Sequence, residues 1–175
     1  MSTTVLLRPG LTRLATGIRA AVARPGTVEE TARRVAAALQ ENLPTADILL
    51  PEERVGSPEN YVQHVLHVEP GFSIVALVWQ PGQRTAVHDH ISWCAFGVVQ
   101  GTEYEIVYRL EDGYLVPIAA AANRTGEVSG FAPPGDIHQV HNSGDTTAIS
   151  IHVYGADIAK LGSSVRRRYD LPVRA

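Results

Sequence analysis

From residue 61 onward the chain is a succession of short apolar runs separated by turn residues, and this pattern constrains the fold more than any other feature. Short runs bounded by Gly, Pro, Asn and Asp are typical of β-strands that pack into a sandwich or a barrel. The predicted strands cover residues 72–79, 95–99, 102–110, 114–117, 128–131 and 148–154. The sequence therefore predicts a mainly β domain built as a small closed barrel.

Two helices are predicted ahead of the barrel. The first covers residues 11–23 and ends at a Pro-Gly pair. Thr27 then has the position of an N-cap, and Glu30 completes a capping box for the second helix. We expect one domain over residues 1–175, with a helical segment over about 1–45, the barrel over about 60–155 and a C-terminal tail over 156–175. The helices are expected to pack on one side of the barrel.

Two histidines, His88 and His90, are one residue apart. A β-strand alternates faces with period two, so both imidazoles would point to one side and Asp89 to the other. Such a pair can chelate a single metal ion. Imidazole suits iron(II), zinc, copper and nickel, so the ligand type alone does not select the metal.

Ser150, His152 and Tyr154 also follow one another at period two, within the last apolar run. On an inward face each group would need a hydrogen-bond partner, because a lone buried hydroxyl or imidazole is costly. A relay from Ser150 through His152 would satisfy all three groups and place an acidic phenol at its end. The same alternation also fits a solvent-facing strand, and the residues alone leave both interpretations open.

The spacing around these residues resembles the two motifs of the cupin superfamily, whose small jelly-roll-like barrels carry a metal at the mouth. The first motif contains His88 and His90, and the second contains His138. Cys94 stands where most metal-binding cupins have a glutamate ligand. Together with the alternating Ser, His and Tyr, the pattern is similar to the thiol dioxygenase family, which includes cysteine dioxygenase and 3-mercaptopropionate dioxygenase.

This resemblance implies a non-haem iron(II) enzyme that adds both atoms of O2 to the sulfur of a small thiol. The iron ligands carry over to His88, His90 and His138. The catalytic outer-sphere relay carries over to Ser150, His152 and Tyr154.

Gln63 bears on the substrate. Cysteine-preferring members of the family have an arginine two residues after a tyrosine, where it holds the substrate carboxylate, whereas this chain has Tyr61 followed by Gln63. The glutamine resembles the bacterial branch that converts 3-mercaptopropionate into 3-sulfinopropionate. We expect that reaction, with oxidation of cysteine to cysteine sulfinate as the alternative.

The substrate carboxylate still needs a partner, because an unpaired anion inside a barrel is unfavourable. Gln63 offers only a neutral donor, which is weaker than the bidentate pair of an arginine. Tyr154 and the C-terminal arginines, Arg166 and Arg168 among them, are the further candidates. Arg84, ahead of the first motif, is another.

Cys94 allows two interpretations. In animal cysteine dioxygenases a cysteine on this strand forms a thioether with the tyrosine of the relay. Counted back from Gly101, Cys94 falls on that position, but counted forward from His90 it is one residue short. The residue is either a crosslinking partner of Tyr154 or a compact side chain beside the metal.

Composition excludes several classes of function. A net charge of -3 is not the excess of basic residues that nucleic-acid binding requires. No apolar stretch approaches the length of a membrane span. The first residues lack a secretory pattern, and a single cysteine fits a reducing compartment. We therefore expect a cytoplasmic monomer or small homo-oligomer whose partners are a small thiol and O2.

Two functions of other kinds stay open. One is a different cupin enzyme, such as a metal-dependent isomerase or a dioxygenase of carbon substrates. The other is a non-catalytic module that senses a thiol or a metal, which would bind iron without consuming O2.

Overall fold

The computed structural model describes residues 7–174, most of which lie in two five-stranded antiparallel sheets. The first sheet has the strand order β1-β2-β9-β4-β7, and the second has the order β10-β3-β8-β5-β6. The strands are β1 (Val62–Glu69), β2 (Phe72–Trp79), β3 (Val87–His90), β4 (Cys94–Gln100), β5 (Thr102–Glu111), β6 (Tyr114–Arg124), β7 (Val128–Phe131), β8 (His138–His141), β9 (Ala148–Tyr154) and β10 (Val165–Tyr169). The two sheets enclose a cavity that both of them line. The expected mainly β cupin barrel is confirmed.

Two helices, α1 (Leu11–Val22) and α2 (Val28–Glu41), precede the barrel. The capping box of α2 forms as expected, since Thr27 accepts from the backbone of Glu30 and the Glu30 carboxylate accepts from the backbone of Thr27. Two short 3-10 turns, Ala46–Ile48 and Pro51–Arg54, connect α2 to β1.

The helices cover the outer face of the first sheet. Alternate residues of β2 and β9, such as Ile74 and Ile151, join Leu14, Val35 and Leu39 in one buried apolar cluster. The contact is close because β7 carries a glycine there: a Cβ on Gly130 would lie 3.0 Å from the Ala32 carbonyl oxygen of α2. Both faces of β2 and β9 are therefore buried, one under helices and the other inside the barrel.

The C-terminal segment differs from the expected tail. After a short helix α3 (Ile158–Leu161), strand β10 pairs antiparallel with β3 and forms the edge of the second sheet. A register shift between Val165 and Arg167 leaves Arg166 without a partner on β3. This strand was not predicted from the sequence, because its run of three arginines shows no apolar alternation.

Among residues 7–174, no helix is long and apolar enough to cross a membrane.

Candidate metal centre

Three histidines meet inside the barrel, on the face of the second sheet that lines the cavity. His88 and His90 lie on β3 and share a face, and His138 on β8 stands directly opposite His88 in the strand register. All three are buried, and their ligand atoms lie within 4.8 Å of one another. The period-two spacing and the pairing of β3 with β8 together form a site for one metal ion.

The second ring nitrogen of each histidine is already hydrogen-bonded. The His88 Nδ1 lies 2.9 Å from the Ala86 carbonyl oxygen, the His90 Nδ1 lies 3.1 Å from an Asp136 carboxylate oxygen, and the His138 Nδ1 lies 2.6 Å from a Glu105 carboxylate oxygen. Because all three acceptors require a proton on Nδ1, the Nε2 atoms remain free to bind a metal. The His138 Nε2 is buried and has no hydrogen-bond partner within the described residues, which fits a metal ligand.

Burial also keeps His88 and His90 in their binding form. Burial lowers the pKa of His88 to about 3, with the neighbouring histidines adding to the effect. Burial likewise lowers the pKa of His90, against the opposing effect of Asp136. Neutral imidazoles have a free lone pair, as metal coordination requires.

Sequence reasoning missed the two carboxylates behind the ligands. Glu105 lies on β5, and Asp136 lies between β7 and β8, where it also accepts from the backbone N–H of His90 at 2.9 Å. Both are buried. The sequence did contain a pattern that could have indicated Glu105. Glu103 and Glu105 share one face of a predicted strand, and acidic residues are rarely buried on a strand face unless they have partners there.

The expected relay forms on the first sheet, across the cavity from the metal ligands. The Ser150 Oγ lies 2.9 Å from the His152 Nε2, and the Tyr154 hydroxyl lies 3.4 Å from the His152 Nδ1. All three residues are buried, so their inward orientation excludes the solvent-facing interpretation. The Tyr154 ring also stacks on His90 at a centroid distance of 5.9 Å, which places the end of the relay beside the metal ligands.

The expectation of an acidic phenol is wrong. Burial raises the pKa of Tyr154 well above 10, and the neighbouring Cys94 raises it further. The Tyr154 phenol therefore stays protonated at neutral pH.

The cavity beside the histidines has a volume of about 360 Å³. Gln63, Arg84 and Arg168 all line it, together with Tyr154. Gln63 reaches it because it stands opposite Leu77, which is on the inner face of β2. Arg168 stands opposite His88 in the register of β10 and β3, and directly opposed residues share a sheet face.

Arg166 does not line the cavity, contrary to the expectation that it binds substrate. The register shift in β10 turns its side chain to the outer face, where it pairs with the Asp89 carboxylate. Tyr169 donates a hydrogen bond of 2.9 Å to the same carboxylate oxygen. Asp89 thus fastens β10 to β3 and holds Arg168 at the cavity.

Cys94 and Tyr154 are directly opposed in the register of β4 and β9. Both side chains are buried, and both belong to the apolar cluster on the inner face of the sheet. Burial raises the pKa of the Cys94 thiol well above its usual value. Cys94 lies next to the relay and is not one of the residues grouped as metal ligands.

Comparison with known proteins identifies a family. The family model described as "Cysteine dioxygenase type I" matches residues 56–164, which is more than half of the chain. This segment contains the three histidines, the relay and every strand from β1 to β9.

Solved structures of similar fold share little sequence with this chain. A conserved protein with a double-stranded beta-helix domain from Klebsiella pneumoniae is 22% identical over 61% of this chain and 85% of that chain, with a TM-score of 0.45. An RmlC-like cupin protein from Desulfovibrio desulfuricans is 20% identical over 57% of this chain and 87% of that chain, with a TM-score of 0.44. Bacillus subtilis oxalate decarboxylase is 17% identical over 58% of this chain and 27% of that chain, with a TM-score of 0.47. These likenesses are too distant to bear on function.

Replacing the carboxylate behind His138 should weaken metal binding. In Glu105→Gln the amide can no longer supply a negatively charged acceptor to the His138 Nδ1, so the ring loses both orientation and basicity. We expect metal affinity to fall by roughly 10- to 100-fold, measured by competition with a chelator. Glu111→Gln, at the exposed end of the same strand, is the control and should bind as the wild type does. Equal affinities for all three proteins would contradict the assigned role of Glu105.

Proposed function

We propose that this chain, which belongs to the cysteine dioxygenase type I family and is therefore a thiol dioxygenase, uses iron(II) to convert 3-mercaptopropionate into 3-sulfinopropionate. The observation that carries the proposal is the set of three buried histidines, with no carboxylate ligand among the described residues, at a cavity that is also lined by two arginines and by His152 and Tyr154 of the relay. The reaction is balanced by O2 alone, because both oxygen atoms are added to the sulfur and no other reductant is needed.

The donor set fits a redox-active divalent metal with open positions. Three neutral imidazoles occupy at most half of an octahedron, as in the facial sites of non-haem iron oxygenases. When bound, iron(II) would supply the redox chemistry that joins O2 to the thiolate sulfur. His88, His90 and His138 would hold the ion, and Glu105 and Asp136 would fix the orientation of two of their rings.

Arg168 is the residue best placed to hold the substrate carboxylate. It lies at the cavity beside His88 and forms no ion pair within residues 7–174. A guanidinium offers a carboxylate two parallel hydrogen bonds with a full charge. Gln63 adds a neutral donor on the opposite wall. The carboxylate would thus be bound at one end of a short substrate and the sulfur at the other.

The charge of the cavity favours a substrate without an amino group. Two arginines, Arg84 and Arg168, line it, and the described lining residues include no Asp or Glu. The ammonium of cysteine would find no anion there and would meet cations of like charge, which costs free energy on binding. A thiol carboxylate such as 3-mercaptopropionate avoids this cost.

Part of the cavity wall is apolar. Tyr61 stacks on Trp79 with ring centroids 4.4 Å apart, and Leu77 and Val140 add apolar surface.

We further propose that the reaction takes place in the cytoplasm, in a monomer or small homo-oligomer with no macromolecular partner. Small thiols remain reduced in that compartment, so the substrate would be present in the form that the site requires.

The function is tested by oxygen uptake of the iron-loaded protein with 3-mercaptopropionate and, in parallel, with cysteine. Sulfinate is scored by mass spectrometry. We expect one O2 consumed per sulfinate formed and a higher kcat/KM for 3-mercaptopropionate. A preference for cysteine would overturn the substrate assignment, and binding of iron and thiol without oxygen uptake would favour a sensing module.

Removing the guanidinium should affect substrate binding more than turnover. For Arg168→Ala we expect KM for 3-mercaptopropionate to rise by roughly 10- to 100-fold, as for loss of a hydrogen-bonded charge pair. Arg167→Ala is the matched control, because Arg167 stands opposite Asp89 and lies over the Tyr169 ring at 4.7 Å, on the outer face. Steady-state kinetics measure both variants, and an unchanged KM in Arg168→Ala would assign the carboxylate to another residue.

The opposed position of Cys94 and Tyr154 supports the proposal that they form a thioether during turnover. Oxidation by O2 would remove one hydrogen from the thiol and one from the phenol ring as the carbon–sulfur bond forms, and O2 would take up both hydrogens as hydrogen peroxide. Intact mass after many turnovers should be lower by two hydrogen atoms, whereas Cys94→Ala should show no such loss. An unmodified wild-type mass would leave Cys94 as a packing residue.

A further inference from the structure

We infer that Glu103, and not Ser150, is the positioning residue that sets the direction of the relay. It does so by fixing the His152 proton on Nε2, so that the Tyr154 hydroxyl donates to His152 and presents a lone pair to the cavity. The role of Tyr154 in turnover rests on the proposed function. The tautomer of His152 does not, since it follows from the hydrogen bonds alone.

Glu103 lies at the inner end of the relay, on β5 of the opposite sheet. Its side chain is 1% exposed. One carboxylate oxygen, Oε2, accepts a hydrogen bond from the Ser150 hydroxyl and also lies 3.3 Å from the His152 Nε2. The relay therefore begins at a buried carboxylate and extends through Ser150 and His152 to Tyr154.

Counting protons at Ser150 determines the donor at His152. The Trp79 indole N–H, which can only donate, lies 3.3 Å from the Ser150 Oγ. Glu103 as a carboxylate can only accept, so the single hydroxyl proton of Ser150 is directed to it. The contact of 2.9 Å between the Ser150 Oγ and the His152 Nε2 then needs its proton from the histidine.

The same conclusion follows at the carboxylate without Ser150. The His152 Nε2 lies within reach of the Glu103 Oε2 at 3.3 Å, and two acceptors facing each other without a proton would repel. Both contacts of Nε2 therefore require Nε2–H. In the neutral ring Nδ1 is then the acceptor, and it faces the Tyr154 hydroxyl at 3.4 Å.

The other oxygen of Glu103 indicates how the carboxylate is held. Glu103 stands directly opposite Asn123 in the register of β5 and β6, so their side chains share the inner face. The Glu103 Oε1 and the Asn123 Nδ2 are both buried, and neither has a hydrogen-bond partner among the described residues. A donor and an acceptor without partners on adjacent strands are complementary, and a small movement or one bridging water would join them.

The direction of the relay changes what Tyr154 can do. With a proton on the His152 Nε2, the phenol proton is held by Nδ1, and the Tyr154 oxygen accepts from the cavity side. With a proton on Nδ1, the phenol would instead donate into the cavity. Glu103 selects the first arrangement in the resting enzyme, which leaves the Tyr154 oxygen as a hydrogen-bond acceptor. When that oxygen takes up the proton of the substrate thiol, its own proton passes to the His152 Nδ1, and the resulting imidazolium lies beside Glu103.

The test is the tautomer of His152, measured by long-range proton–nitrogen NMR on the zinc-loaded protein, which is diamagnetic and does not turn over. We expect Nε2–H in the wild type. Ser150→Ala should retain Nε2–H, because the carboxylate still accepts from that nitrogen. In Glu103→Gln the amide can present either its oxygen or its nitrogen, so a measurable fraction of Nδ1–H should appear.

Two results would overturn the inference. One is Nδ1–H in the wild type, and the other is a tautomer shift in Ser150→Ala as large as that in Glu103→Gln. Because zinc-loaded protein reports the tautomer whether or not the enzyme oxidises a thiol, this failure is separate from failure of the proposed function. If the tautomer assignment and the proposed function are both correct, kcat of iron-loaded Glu103→Gln should fall by on the order of 10-fold or more. Its iron content should be unchanged.

Discussion

The site depends on one constraint: a polar atom inside the barrel must have a hydrogen-bond partner, because burying it alone is costly. Each metal-facing histidine satisfies this at Nδ1, through a backbone carbonyl for His88 and through carboxylates for His90 and His138. With Nδ1 bonded, Nε2 is left for the metal. Among the described residues no carboxylate joins the three histidines as a ligand, and two carboxylates instead accept hydrogen bonds from the His90 and His138 rings.

The two sheets contribute different residues to the same cavity. The second sheet supplies all three histidines from β3 and β8, and the first sheet supplies the relay from β9. The first sheet is sandwiched between helices and the cavity, so β9 is buried along its whole length and its polar residues have few alternative positions. The Glu103 side chain, on β5 of the second sheet, accepts a hydrogen bond from Ser150 on β9 and so connects the two sheets.

Much of this arrangement could be predicted because it follows from period two. The strands Phe72–Trp79, Val128–Phe131 and Ala148–Tyr154 begin and end where the apolar runs do. The capping box at Thr27 formed as expected, as did the inward relay. Other features were missed because their cause is not local. Strand β10 has no apolar alternation, and the irregularity that turns Arg166 outward arises only when β10 pairs with β3. Tyr154 is a weaker acid than expected because its surroundings, not its neighbours in sequence, desolvate it.

The sequence by itself determined which residues alternate on which strands, and therefore that His88 and His90 share a face, as do Ser150, His152 and Tyr154. Only the tertiary structure decided which faces meet. The pairing of β3 with β8 brings His138 to the first two histidines, and the closure of one sheet over the other brings Glu103 to Ser150 and His152. The physical reason is that side-chain direction along a strand is set by backbone geometry, whereas contacts between distant strands depend on the register and packing of the whole barrel.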